Sequence, residues 1–210
     1  MAHFRKPLVL AAALNAVIVV GEAAFGIQAN SLSLLMDSIH NLSDQLVLVF
    51  LYLAFILPRG ISRNLLRSAN IFNSVGLIGV SGLLLWQAFE RFLHPAPVAG
   101  AIAVAVGIAA SAGNWAVALL LREPGRNNAA VRLAYVHNLG DVYVSLAPVA
   151  AGLLVTFTGY SFIDPLIAIG VALWFVTSTG AEALSSHEEL LWPEKIICGH
   201  PDHEDAASVN

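Results

Sequence analysis

Apolar residues run along this chain in six long blocks, over residues 8–27, 32–57, 69–89, 98–121, 133–158 and 163–183, with polar positions gathered in the short stretches between them. Each block supplies the roughly 20 residues that a helix needs to cross the hydrocarbon core of a bilayer. The pattern predicts an all-α, six-helix transmembrane bundle. The connections QANS, PRGISRNLLR, HPAP, REPGRNN and GYSF leave no room for an inserted soluble domain. Residues 1–186 are therefore expected to form one membrane domain, and residues 187–210 a short polar tail of disordered composition.

Composition agrees, at 58% hydrophobic and 11% charged residues against about 45–50% and about 25% in soluble domains. Charge adds an orientation. Arg5 and Lys6 precede the first block, Arg59, Arg63 and Arg67 join the second to the third, Arg122, Arg126 and Arg132 join the fourth to the fifth, and Lys195 follows the sixth. Only Arg91 lies on the other side, so the positive-inside rule puts both termini in the cytoplasm of a multi-pass protein of the cell membrane. Arg5 and Lys6 before an apolar run also resemble the start of a cleavable signal, but the run is too long and carries Glu22. The basic residues sit singly in short loops, which excludes a nucleic-acid footprint. The lone Cys198 excludes an internal disulfide and a CxxC metal site. Gly76, Gly79 and Gly82 in the third block, and Gly100, Gly107 and Gly113 in the fourth, are expected at close helix contacts. Pro148 marks a kink in the fifth.

An ionisable side chain inside hydrocarbon costs at least about 2.5–3.5 kcal/mol and so calls for a reason. The pentapeptide HNLSD at residues 40–44 returns as HNLGD at 137–141. Residues four apart share a helix face, so each HxxxD aims an imidazole and a carboxylate at one point. Two antiparallel helices bearing such pairs bring two nitrogens and two oxygens together, a set suited to a tetrahedral divalent ion. Imidazoles favour Zn²⁺ and Co²⁺, whereas carboxylates alone favour harder ions such as Mn²⁺. The competing account is that each His and Asp satisfy one another and lock helix packing. Asp37 shares their face and is a candidate for supporting the ligands or marking an access path. Glu22 is a candidate for the same role, for a direct ligand, or for a hydrogen bond to Asn or Ser of a neighbour. Asn73 and Asn114 are read as hydrogen bonds between helices. Cys198, His200 and His203 in the tail are weak candidates for loose metal collection.

Two other function classes remain open at this point. SHEEL at 186–190 begins like the HExxH of a metalloprotease, but Leu191 stands where the second histidine is needed, and four inward ligands leave no open position for water. The chain is thus not expected to be an enzyme. A proton-coupled carrier of another solute could use the His/Asp pairs as a relay without metal.

The stretches NSLSLLMDSIHNLSD, NNAAVRLAYVHNLGDVYVSL, ERFLHPAPV and DPLIAIGVAL resemble the cation diffusion facilitator family of zinc transporters, from the first helix through the sixth. The resemblance implies exchange of a divalent metal for protons, a homodimer, and His40, Asp44, His137 and Asp141 as intramembrane ligands. It implies no resident cofactor: Zn²⁺ is the transported substrate, with Co²⁺, Cd²⁺ and Fe²⁺ as alternatives. Two features depart from the family. REPGRNN replaces the histidine-rich loop between helices four and five, and a folded cytoplasmic domain after helix six is not expected. Any dimer contact is therefore expected from the membrane helices.

Overall fold

The computed structural model describes residues 2–57 and 59–185, and among them are seven helices and no strand. They are α1 (Ala2–Ala29), α2 (Leu32–Ile56), α3 (Arg59–Leu93), α4 (Gly100–Asn127), α5 (Ala129–Val144), α6 (Leu146–Thr158) and α7 (Ile163–Ser185). α5 and α6 follow one another as the two halves of the fifth rod, which gives the six expected rods. His187, Cys198, His200 and His203 lie outside the described residues, as does the side chain of Asn73.

Two connections expected as loops are helical. α3 begins at Arg59 and α4 continues to Asn127, so most of PRGISRNLLR and REPGRNN extends the rods. The apolar blocks mark only what hydrocarbon can hold; a helix satisfies its backbone internally and runs on past them into polar sequence.

The fifth rod breaks at Ser145, three residues before the proline expected to bend it. Pro148 has no N–H, so the carbonyl of Val144 loses its helical partner and the preceding turn loosens. The Ser111 hydroxyl of α4 donates to the carbonyl of Val142 at 2.8 Å beside this break. Gly159, at φ 73°, ends α6 in the left-handed conformation that glycine adopts without cost.

α4 packs against α1, α5 and α6, while α3 and α7 pair with each other and lean on α2. Small residues set the closest approach. A Cβ on Gly100 would collide with the backbone of Gly152 on α6; one on Gly107 would meet Val149 at 2.8 Å, and one on Gly113 would meet Ile18 of α1 at 2.7 Å. Gly76, Gly79 and Gly82 of α3 do not follow the expectation, since nothing lies within 4 Å of a Cβ there. They are not packing positions among the described residues.

The bundle buries a polar cluster beside its apolar core and exposes large apolar side chains. Asn15, Glu22, Asp37, His40, Asn41, Asp44, Asn114 and Asp141 are buried, whereas Val17, Ile27, Trp86, Tyr143 and Phe157 are exposed. Water would punish that arrangement and a bilayer favours it. Among the described residues four helical stretches are long and apolar enough to cross a membrane: Arg5–Ala29, Leu32–Leu53, Gly100–Arg126 and Val131–Thr158.

One junction fixes the end of the bundle opposite the N-terminus, called here the far side. Asn30, at φ 55°, turns the chain between α1 and α2. Its amide donates to the carbonyl of Pro97 at 2.9 Å, and Arg91 donates to its carbonyl at 2.9 Å. Asp164 on the first turn of α7 is fully buried beside the start of α2. Its carboxylate accepts from the Ser31 hydroxyl at 2.7 Å, the Leu32 N–H at 2.6 Å and the Ser33 hydroxyl at 2.5 Å. These include otherwise unpaired donors of a helix N-terminus, where an anion is favoured. Asp164→Ala is expected to cost about 3 kcal/mol, because it strands several buried donors at once. The helical circular-dichroism signal of the detergent-solubilised variant should melt at a clearly lower temperature; an unchanged midpoint would show that the clamp is dispensable.

Candidate metal centre

α2 descends from the far side and α5 ascends toward it, so the two HxxxD motifs meet head to tail. His40 lies above Asp44 on α2, and Asp141 lies above His137 on α5. The antiparallel arrangement therefore pairs each imidazole with the carboxylate of the other helix. His40 Nε2 is 2.9 Å from Asp141 Oδ1, and His137 Nε2 is 2.7 Å from Asp44 Oδ1. Along each helix the separations are longer, 3.6 Å from His40 to Asp44 and 3.9 Å from His137 to Asp141. The expected face-sharing within each motif is thus present, but the shorter contacts are across.

One donor atom from each of the four residues lies within 4.8 Å of every other. Metal–ligand bonds of about 2.0–2.1 Å set ligands about 3.3 Å apart on a tetrahedron. The four His–Asp distances straddle that value. Two imidazole nitrogens and two carboxylate oxygens could hold a divalent ion here once the widest separations, up to 4.8 Å, close by about 1.5 Å toward the tetrahedral spacing.

Burial is uneven around the cluster. The side chains of His40, Asp44 and Asp141 are at most 9% exposed, but that of His137 is 51% exposed. His40 is held on its other face by Phe175 of α7, stacked at 4.2 Å between ring centroids with the planes 14° apart. The site thus has three fixed walls and one open corner on α5.

Glu22 and Asp37 do not join the four. Both are buried. Asn41 donates from Nδ2 to Glu22 Oε2 at 2.8 Å, so Glu22 reaches an asparagine of a neighbouring helix, one of the alternatives read from its sequence. Asp37 lies one turn before His40, toward the far side. Asn114 does bridge helices, donating to Asn41 Oδ1 at 3.3 Å and to Ser145 Oγ at 3.0 Å.

The residue that sequence reasoning overlooked is Asn41, inside the first pentapeptide. Its carbonyl accepts from Asn15 at 2.9 Å, and its side chain joins Glu22 and Asn114. Asparagine follows histidine in both motifs, which was a usable signal. The equivalence is only in sequence, for Asn138 donates back to the carbonyl of Ala134 on its own helix at 2.9 Å.

With this geometry in hand, residues 8–191 match the cation efflux transmembrane domain. The chain belongs to the cation efflux family. Zinc transporter ZitB of Pectobacterium atrosepticum is 31% identical over 198 residues, covering 89% of this chain and 61% of that protein. Zinc transporter ZitB of Escherichia coli is 32% identical over 196 residues, covering 89% and 62%. A Bacillus velezensis protein named as a cadmium, cobalt and zinc/H(+)-K(+) antiporter is 33% identical over 168 residues, covering 75% and 53%. The cation efflux chain thus spans about six-tenths of the length of the ZitB proteins it matches. The family is one of transporters, so the metalloenzyme alternative falls with this assignment.

Proposed function

We propose that this cation efflux protein carries Zn²⁺ across the cell membrane in exchange for protons, with His40, Asp44, His137 and Asp141 as the transported ion's ligands. The observation that carries the proposal is the cross-paired cluster: two nitrogens and two oxygens gathered at the middle of a bundle whose outer surface is apolar. Co²⁺, Cd²⁺ and Fe²⁺ suit the same donor set less specifically. The names of the relatives support both the metal and the exchange of a metal for H⁺.

The exchange follows from the chemistry of the ligands. A metal can take the lone pairs of His40 and His137 only when the imidazoles are neutral, and those of Asp44 and Asp141 only when the carboxyl groups have lost their protons. An ion taking those lone pairs must displace the protons, and protons returning must displace the ion. The excess of Lys and Arg in the connections on the N-terminal side supports cytoplasmic termini. With that orientation an inward proton gradient drives metal export. We include in the proposal a homodimer made by the membrane helices, and a tail whose residues beyond Trp192 take no essential part in transport.

Purified protein in proteoliposomes, with a metal-sensing dye inside, tests the proposal. Alanine at His40, Asp44, His137 or Asp141 should weaken zinc binding at least about 100-fold, beyond what the loss of a residue merely supporting a ligand costs. Flux should vanish while insertion and yield stay normal. Wild-type flux in two or more of these variants, at equal protein per vesicle, would defeat the assignment.

Selectivity is expected to reside in the imidazoles. Replacing His40 or His137 by Asp should weaken Zn²⁺ relative to Mn²⁺ or Fe²⁺, because an all-oxygen set prefers harder ions. A competition series with unchanged metal ranking would place selectivity elsewhere. Zinc uptake should also slow as the binding side is acidified and stop when the proton gradient is collapsed. Flux indifferent to both would indicate a channel, and proton-coupled flux without zinc binding would indicate a carrier of another solute.

A further inference from the structure

We propose that Phe175 of α7 is a positioning residue for the transported ion: its ring fixes the plane of the His40 imidazole and so sets the preference of the cluster for Zn²⁺ over Mn²⁺; this rests on the ligand assignment proposed above. The clue is the nitrogen turned away from the cluster. His40 Nε2 faces the carboxylates, 2.9 Å from Asp141 Oδ1 and 3.6 Å from Asp44 Oδ2. A metal-binding histidine is ordinarily held by a hydrogen bond from its other ring nitrogen. Here Nδ1 is buried, and no hydrogen bond reaches it among the described residues.

What touches the imidazole instead is a flat apolar surface. The rings of His40 and Phe175 stack with 4.2 Å between centroids and 14° between planes. The outer torsion of a histidine side chain has a broad, nearly two-fold profile, so by itself it selects no single ring plane. Turning the imidazole about that bond would drive its edge into the Phe175 ring, which a close-packed interior does not let give way. The stack therefore does by shape what a hydrogen bond does elsewhere by direction.

Phe175 is itself firmly placed. It is 3% exposed and packs in one cluster with Met36 of α2, Leu84 of α3 and Ala172 of its own helix. Trp174 flanks it with 5.4 Å between ring centroids. From Leu166 to Val176 α7 carries only aliphatic and aromatic side chains and Gly170, so this stretch offers the ion no side-chain ligand. Its means of acting on the cluster is contact with a ligand, and the effect falls on one donor type. An imidazole turned out of line weakens a nitrogen–metal bond and leaves the carboxylates of Asp44 and Asp141 in place, and nitrogen donors are what favour Zn²⁺ over Mn²⁺.

Phe175→Leu, which keeps buried apolar bulk but not the flat face, tests this in the full detergent-solubilised chain, with Phe175→Met as a second variant of the same kind. Calorimetric titration should find zinc affinity about 10–100-fold below wild type, the scale on which a contact supporting a ligand acts. Mn²⁺ affinity should fall by no more than about threefold, because Mn²⁺ leans on the carboxylates. In the His40→Asp background, Phe175→Leu should change zinc affinity by no more than about twofold, since the ring acts through the imidazole. An equal loss for both metals would show that Phe175 only packs the bundle, and would overturn the proposal. So would wild-type zinc affinity in both variants, or a zinc loss of the full size that persists in the His40→Asp background. Wild-type zinc affinity in His40→Asp alone would instead defeat the ligand assignment itself, whereas a weakened His40→Asp beside an unaffected Phe175→Leu defeats the positioning role alone.

Discussion

Four carboxyl groups, Glu22, Asp37, Asp44 and Asp141, are buried at 4% exposure or less in a bundle whose lysines and arginines sit at the helix ends and connections. An isolated ionised carboxylate in such a place is so costly that it is paired, protonated or bound to a metal. The protein supplies two histidines and several amides, which satisfy part of this demand. In the proposed exchange, what remains comes from the ions that enter and leave. On that proposal the interior is balanced when it holds protons or a metal, and the apolar exterior, the inward asparagines and the close approach of α4 to α6 enclose it.

Asp164 shows what a carboxylate looks like when the fold needs nothing more from it. It is as deeply buried as the other four, yet the Ser31 and Ser33 hydroxyls and the Leu32 N–H all donate to it at the start of α2. Helix polarity favours the anion there. Asp37, only a turn and a half along the same helix, has no donor of comparable quality. The difference between these two acids therefore lies in how many donors the backbone and neighbours commit to each, not in burial.

The crossings and the four clustered residues could be read from the sequence because each rests on a simple period. Apolar length marks a membrane helix, and a spacing of four puts His40 with Asp44 and His137 with Asp141 on single faces. What those periods could not give was the partner of each residue across space. The contacts at 2.9 and 2.7 Å run between α2 and α5 because the helices are antiparallel, a tertiary fact. The hub at Asn41 and the stacking of Phe175 on His40 likewise depend on which faces meet. Gly76, Gly79 and Gly82 misled for the same reason: small residues permit close packing but do not say that a neighbour is there. The break fell at Ser145 rather than at Pro148 because a proline removes the bond to the carbonyl four residues earlier.

Helix direction and donor chemistry together give the interior an order that neither gives alone. From the N-terminal side inward come His137 with Asp44, then His40 with Asp141, then Asp37, one turn farther along α2. Nitrogen and oxygen donors alternate across the first two levels, and the last offers oxygen only. A column of carboxylates alone would suit hard ions at every level and could not separate metal from proton by affinity. The imidazoles at one depth and the further acid at another divide the polar core by donor type, with His40 and Asp37, one turn apart on α2, at the boundary between them.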